Sequence, residues 1–329
     1  MKMWIKRFVV LAGLVTLAGA GGLAWYGNQP LRIDPLPKTI NVPPGTHLKS
    51  LSVMLEREGV VGNAHAFWLL GRVLGKGGTL KVGVYTLDRP LTPLELYSRI
   101  QRGEVSQAMV QFIEGRNWRE LRAVLAAQPL LRNDSAGMSD AELMQAIGAA
   151  ESHPEGLLFP DTYFYAPHTS DIQVLRRAYR LQQEKLTAAW ETRAADLPYR
   201  TPYEALIMAS IVEKETGAAF ERPQIAGVFI NRLRRGMRLQ TDPTVIYGLG
   251  ARFDGNLRKI DLQRDTPYNT YTRAGLPPTP IAMPSEAAIR AALNPAATDA
   301  LYFVARGDGT HVFSSNLAAH NRAVNRYQR

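Results

Sequence analysis

Residues 201–217 read TPYEALIMASIVEKETG, and the fold is decided by how this run is arranged. Thr201 followed by Pro202 and Glu204 has the form of a capping box with proline at the first helical position. Gly217 is a natural stop. Between them lies a helix with two glutamates near its end. At about 100° per residue, and with Leu206 set at zero, Ile207, Ile211, Met208 and Val212 fall at about 100°, 140°, 200° and 240°. Glu215 falls at about 180°, inside that apolar arc, and Glu213 at about 340°, beside Ser210 on the other side. The spacing predicts a solvated Glu213 and a desolvated Glu215. A carboxyl on an apolar face keeps its proton, and the negative end of the helix reinforces this. A protonated glutamate in a cleft suits general-acid cleavage of a glycosidic bond. The competing reading is a core-edge glutamate paired with Arg232, Arg234 or Arg238.

Outward from this helix the chain reads as α+β. The N-terminal 7 residues carry Lys2, Lys6 and Arg7, and no charge follows from Phe8 to Leu31. A bilayer core takes roughly twenty helical residues. Trp4 and Trp25–Tyr26 stand where interfacial aromatics belong. Residues 8–28 are therefore expected to be an inner-membrane anchor with a cytoplasmic N-terminus and the remainder periplasmic. A cleaved signal peptide with Ala18-Gly19-Ala20 as its site is the alternative, and it exports the chain equally. A stiff linker, 29–38, follows.

Residues 39–104 read as one small module. Thr39–Val42 is a strand, Pro43–Thr46 a turn, and Leu48, Leu51 and Leu55 mark a helix ending at Gly59. Ala64–Leu74 is a second helix and Lys81–Leu87 a strand. Thr92-Pro93-Leu94-Glu95 caps a helix that stops at Gly103. The strand–helix–helix–strand order resembles a LysM-like module, a fold associated with N-acetylated glycans; a generic α+β linker domain gives the same order. Residues 105–150 connect it to a larger mixed α+β domain, 151–329. In the connection, Val110–Ile113 suits a strand, and Trp118–Leu125 and Ser135–Ala150 suit helices. Ser170–Ala194 is a long amphipathic helix.

Bulk composition narrows the function classes. The chain of 329 residues has a net charge of +10 and no cysteine. Absent cysteine excludes disulfides, thiol nucleophiles and Cys-bound zinc. The basic balance favours an acidic partner, but the positive charge is scattered apart from Arg232–Arg238, which is poor support for nucleic acid binding. The 6 histidines show no metal-binding spacing, and no phosphate loop, dinucleotide fingerprint or nucleophile elbow occurs. No metal or cofactor is expected.

Further motifs then carry a resemblance. MASIVEKETG, VFINRLRRGMRLQTDPTVIYG and YNTYTRAGLPPTPIAMPS, with EGLLFPDTYFY before them and LYFVARGDGTHVFSSNLAAHN after, closely resemble the MltG (YceG-like) family of endolytic murein transglycosylases from about Glu155 to Asn321. The resemblance implies lytic cleavage of the β-1,4 bond between N-acetylmuramic acid and N-acetylglucosamine in nascent peptidoglycan. It further implies a 1,6-anhydro product end, terminated strand elongation and peptidoglycan synthases as partners. The family's catalytic glutamate matches Glu215, followed by Thr216 where other lysozyme-like transglycosylases often carry serine. A hydrolytic muramidase, with Asp242 or Asp161 as a second acid, and a non-catalytic wall-binding scaffold remain as rivals.

Other motif residues carry two readings each. Gln240, Thr241, Asp242 and Thr244 with Tyr247 either hold sugar hydroxyls or form a turn in which Asp242 caps the next helix. Tyr268, Asn269 and Tyr271 either stack on sugars and bond their N-acetyl groups or pack a loop. Gly275-Leu276-Pro277-Pro278 suits a cleft wall. Glu155 and Asp161 line the cleft or cap helices, and Asn316 and His320 read as structural.

Overall fold

The computed structural model describes residues 2–43, 45–74 and 80–328; within the first helix the side chains of 2–6, 8–12 and 15 are not among those described. The chain divides into two compact units, 1–108 with 165–167, and 109–164 with 168–329. Residues 109–150 fall in the same unit as 151–164 and 168–329.

The first unit contains α1 (Lys2–Asn28), β1 (Lys38–Val42), α2 (Leu48–Arg57), α3 (Ala64–Val73), β2 (Gly83–Leu87) and α4 (Pro93–Arg102). Strands β1 and β2 pair antiparallel, with Ile40 opposite Tyr85. Their inward side chains, Ile40, Val42, Tyr85 and Leu87, pack with Leu51, Leu55, Phe67 and Leu96 into one core. The starts of α3 and α4 have local causes. Thr92 and Glu95 form a full capping box, and Gly103 takes the left-handed conformation that ends α4. Asn63 caps α3 by accepting from Ala66 N–H at 2.9 Å. The turn expected over 43–46 includes Pro44, outside the described residues; Thr46 hydrogen-bonds back to Pro43 O.

The expected membrane span, 8–28, falls within α1, and Phe8–Ala12 and Val15 lie outside the described side chains. Among the described residues no helix is long and apolar enough to cross a membrane.

The second unit runs β3 (Ala108–Gln111), α5 (Trp118–Ala126), β4 (Leu131–Arg132), α6 (Asp140–Ile147), β5 (Thr162–Tyr165), β6 (Thr169–Ser170), α7 (Asp171–Glu191), α8 (Pro202–Glu215), α9 (Arg222–Arg234), α10 (Asp242–Leu249), α11 (Lys259–Gln263), α12 (Glu286–Leu293), β7 (Tyr302–Ala305), β8 (His311–Ser314) and α13 (Leu317–Tyr327). It is helical at its centre, with two-stranded sheets β3–β5, β4–β6 and β7–β8 at the periphery. Helix α6 is shorter than Ser135–Ala150 because Ser139, not Ser135, is its cap, bonded reciprocally with Glu142.

Helix α8 is the axis of this unit, packing against α7, α9, α10 and α12. Every residue from Ala205 to Val212 is buried. The expected division into an apolar and a solvated face is therefore wrong. A helix surrounded on all sides has no solvent stripe, and its one polar interior group, Ser210, is satisfied by Ile207 O and Ile281 N–H. Its start also differs in detail. Thr201 accepts from Glu204 N–H, but the Glu204 carboxylate turns to Arg200 N–H, so only half of the capping box forms.

Candidate active site

The two glutamates at the end of α8 have different surroundings, and those of Glu213 are not the expected ones. The Glu213 side chain is only 7% exposed. It forms an ion pair with Arg222 at 3.3 Å and accepts from Ser285 N–H and Oγ. The expectation of a solvated Glu213 fails because its side of α8 faces α9 and the start of α12. Glu215 is half-buried, and among the described residues no cation forms an ion pair with it. The arginines considered as its partners are engaged elsewhere. Arg232 donates to Leu301 O at 2.7 Å and Leu239 O at 2.9 Å, Arg234 to Asp196 O, and Arg238 to Tyr271 O.

One hydroxyl reaches the Glu215 carboxyl: Thr241 Oγ donates to Oε1. Thr241 is the residue before α10, yet it makes no side-chain cap there. The preceding Gln240 holds a left-handed φ of 51°, a conformation unfavourable for a residue with a Cβ and a mark of local constraint. Gln240 is clamped there by its N–H to Thr270 O and by Arg232 on its side-chain oxygen. The constraint turns Thr241 toward the glutamate instead of into its own helix.

Glu215 has its pKa pushed up to about 7, chiefly by loss of hydration and further by the Asp242 charge; the Thr241 hydrogen bond, His311 and Arg232 oppose this. A group with such a pKa exchanges its proton near neutrality. Asp242 is exposed and accepts from Tyr271 O–H at 2.5 Å. Burial, then that hydrogen bond, drives the Tyr271 pKa upward, so it remains a donor.

Two hollows meet at Glu215. The first, 540 Å³, has Glu215, Gln240, Thr241, Asp242 and Tyr271 on one side and Tyr302, His311 and His320 on the other. The second, 410 Å³, lies toward Thr216, Gly217, Glu213, Gly115 and Arg116. A third, larger hollow of 700 Å³ adjoins the second through Gly115, Glu120 and Lys214, and contains Glu155, Tyr247 and Tyr268.

The expected site residues are thus divided. Glu215, Gln240, Thr241, Asp242 and Tyr271 come together, Thr216 stands in the adjoining hollow, and Tyr247 and Tyr268 face the third. Thr244 and Asn269 line none of the three hollows. Thr244 is fully buried against Thr241 O and Thr270 Oγ. Asn269 is also fully buried, its amide donating to Asp261, Leu262 and Arg264 carbonyls, so it is a loop clamp. Asp161 is exposed and, like Gly275–Pro278, absent from all three.

The opposite wall of the first hollow escaped sequence reasoning. It is the β7–β8 hairpin with α13, and it holds His311 over Glu215's side of the cleft. His311 is fixed by Glu221, which accepts from its ring Nδ1 at 2.7 Å and its backbone N–H at 2.9 Å. His320, read as structural, stacks on Tyr302 in the same wall. A buried Glu221 separated by 90 residues from its partner leaves no local pattern to read.

Comparison with known proteins agrees with this architecture. A family model described as the YceG-like family matches residues 40–326. The endolytic murein transglycosylase of Bacillus subtilis (strain 168) is 31% identical over 333 residues, which cover 93% of this chain and 90% of that protein. The protein of the same name from Streptococcus pneumoniae serotype 2 is 28% identical over 362 residues, covering 98% of this chain and 65% of that longer protein. A crystal structure of a yceG-like protein from Listeria monocytogenes aligns with a TM-score of 0.55 at 30% identity, over 87% of this chain and 98% of that one. With a family model spanning most of its length and a full-length relative at this identity, the chain belongs to the YceG-like family.

Proposed function

We propose that this protein is an endolytic murein transglycosylase in which Glu215 is the single acid and base. The observation that carries the reading is one carboxyl that is half-buried, bonded by a hydroxyl rather than an arginine, and placed where two hollows meet. A strand cut internally must continue on both sides of the cleaved bond, and hollows on both sides of the acid accommodate that. Glu215 protonates the oxygen linking N-acetylmuramic acid to N-acetylglucosamine as that bond breaks. The resulting carboxylate takes the proton of the muramyl C6 hydroxyl, whose oxygen closes on the anomeric carbon. The proton balance returns Glu215 to its starting state, and no water is consumed. Thr241 steadies the carboxylate between the two steps.

Asp242 supports a second reading. It lines the same hollow and is the available carboxylate to act as the base that activates water, as hydrolysis would need. Mass spectrometry of digested glycan separates the two. Lytic cleavage gives anhydromuramyl ends one water lighter than the reducing ends of hydrolysis; reducing ends lost on Asp242→Asn would sink the lytic reading.

The setting of the enzyme is part of the same proposal. The charge-free run from Phe8 behind three basic residues, and the exposed Leu14, Leu17 and Trp25 on α1, support an inner-membrane anchor with the cleft in the periplasm. The β1–α2–α3–β2 order supports a LysM-like glycan-binding module. Nascent strands and the synthases that extend them are the partners this setting favours.

A further inference from the structure

The third hollow has no part in the chemistry just described, yet it is the largest of the three. Its 700 Å³ falls in the range of ligand clefts, about 300–1,000 Å³. All of it lies within the second unit, between the start of α5 and the outer face of α10. Half-buried Tyr247, Ile246 and Phe253 present carbon surface to it, and Tyr268 meets Tyr247 edge to face at 4.8 Å. Lys214 and Arg119 stand at its exposed margin.

The wall is preformed. Glu155, 1% exposed, accepts from Trp118 N–H at 3.0 and 3.1 Å and from Tyr247 O–H at 3.0 Å, tying α10 to the first turn of α5. The next residue, Gly248, lets the Tyr268 loop approach; a Cβ there would sit 3.1 Å from Tyr268 Cβ. Gly250, at a φ of 58°, turns the chain so that Phe253 comes round to the mouth.

We propose that this hollow is a remote sugar subsite, which receives an N-acetylhexosamine ring of the same strand that passes Glu215. The inference rests on the glycan-cleaving reading of that cleft. Flat aromatic faces with a few rim donors suit the C–H face and hydroxyls of a pyranose ring. The shared residues Gly115, Glu120 and Lys214 place this hollow next to the one beside Glu215, within reach of a strand that passes it. Binding there draws on sugars that do not react, and it favours long strands over short ones.

The test uses the full chain in detergent and peptide-free oligomers of N-acetylglucosamine, the dimer and the hexamer. In a Glu215→Gln background the hexamer should bind at least about tenfold more tightly than the dimer, the scale of one aromatic contact. Phe253→Ala should erase that difference and Phe253→Tyr restore it. In the otherwise native enzyme Phe253→Ala should raise KM on long strands about tenfold with kcat unchanged. Hexamer affinity indifferent to Phe253→Ala overturns the subsite, as does an effect confined to peptide-bearing strands and reproduced by Arg119→Ala, which would make the hollow a stem-peptide site. If native enzyme cleaves no glycan while Phe253-dependent hexamer binding persists, the catalytic reading fails and the subsite stands.

Discussion

The hollow at Glu215 and the hollow at Glu155 each contain a glutamate pushed up to about 7 by loss of hydration. They differ in what the carboxyl can still do. Glu155 is sealed, its oxygens occupied by a backbone N–H and a tyrosine hydroxyl, and it serves as a strut between α5 and α10. Glu215 has one hydroxyl on one oxygen and an open cleft on either side. A perturbed pKa alone would rank the two equally; access and an unfilled hydrogen-bonding capacity separate them.

The largest effect expected from this difference is catalytic. Glu215→Gln should lower the rate of strand cleavage by about 10²–10⁴-fold, since the amide can neither give nor take the proton. Glu155→Gln should cost less than about tenfold, as one weakened hydrogen bond would. Quantifying anhydromuramyl ends from purified glycan measures both. Equal losses in the two variants would break the distinction.

Next in size is a stability effect, which Glu215 shares in comparable measure with Glu155. Its folded pKa lies above the usual glutamate value, so the folded state holds the proton that the unfolded chain releases. Stability from this group is full below about pH 4.5, falls as pH rises through about 4.5–7, and levels above that, by about 3 kcal/mol in all. Urea unfolding at pH 5 and pH 8 should show the native protein weaker at pH 8, and Glu155→Gln should remove about half of that slope, since Glu215 is raised to the same extent. A slope unchanged by Glu155→Gln would mean that the strut is not what titrates.

Much of this contrast could be read from the chain in advance, and the part that could not was non-local. Capping at Thr92, Asn63 and Thr201 is written within four residues, and those helix starts were legible. So was the unusual position of Glu215, because a carboxylate at the end of an apolar helix is a local anomaly. The division of α8 into two faces was not. Helix α8 has no wet side, and the state of Glu213 is decided by Ser285 and Arg222, brought in by other helices. The same limit hid the Glu221–His311 pair, whereas Asn269 takes the loop-packing one of its two readings, its amide spent on carbonyls of its own loop. Tyr247 and Tyr268, expected at the sugars together with Thr241 and Tyr271, face a different hollow: Asp242 lines Thr241's hollow and Pro243, Ile246 and Tyr247 line theirs, and only the packed helix assigns the sides.

The smallest effect concerns the hydroxyl that distinguishes the Glu215 site. Thr241 donates to the carboxyl, which favours the ionised form and so lowers its pKa. Since cleavage begins with Glu215 protonated, kcat should decline as pH rises through about 7. Thr241→Val removes the donor at nearly constant volume. A hydrogen bond worth about 0.5–1.5 kcal/mol corresponds to a pKa change of about half to one unit, and the direction is upward. The alkaline limb of kcat should therefore move to higher pH in Thr241→Val and stay in place in Glu155→Gln. A limb that moves with Glu155→Gln instead would transfer the titration to the sealed carboxyl, and the difference in access drawn between the two hollows would lose its catalytic meaning.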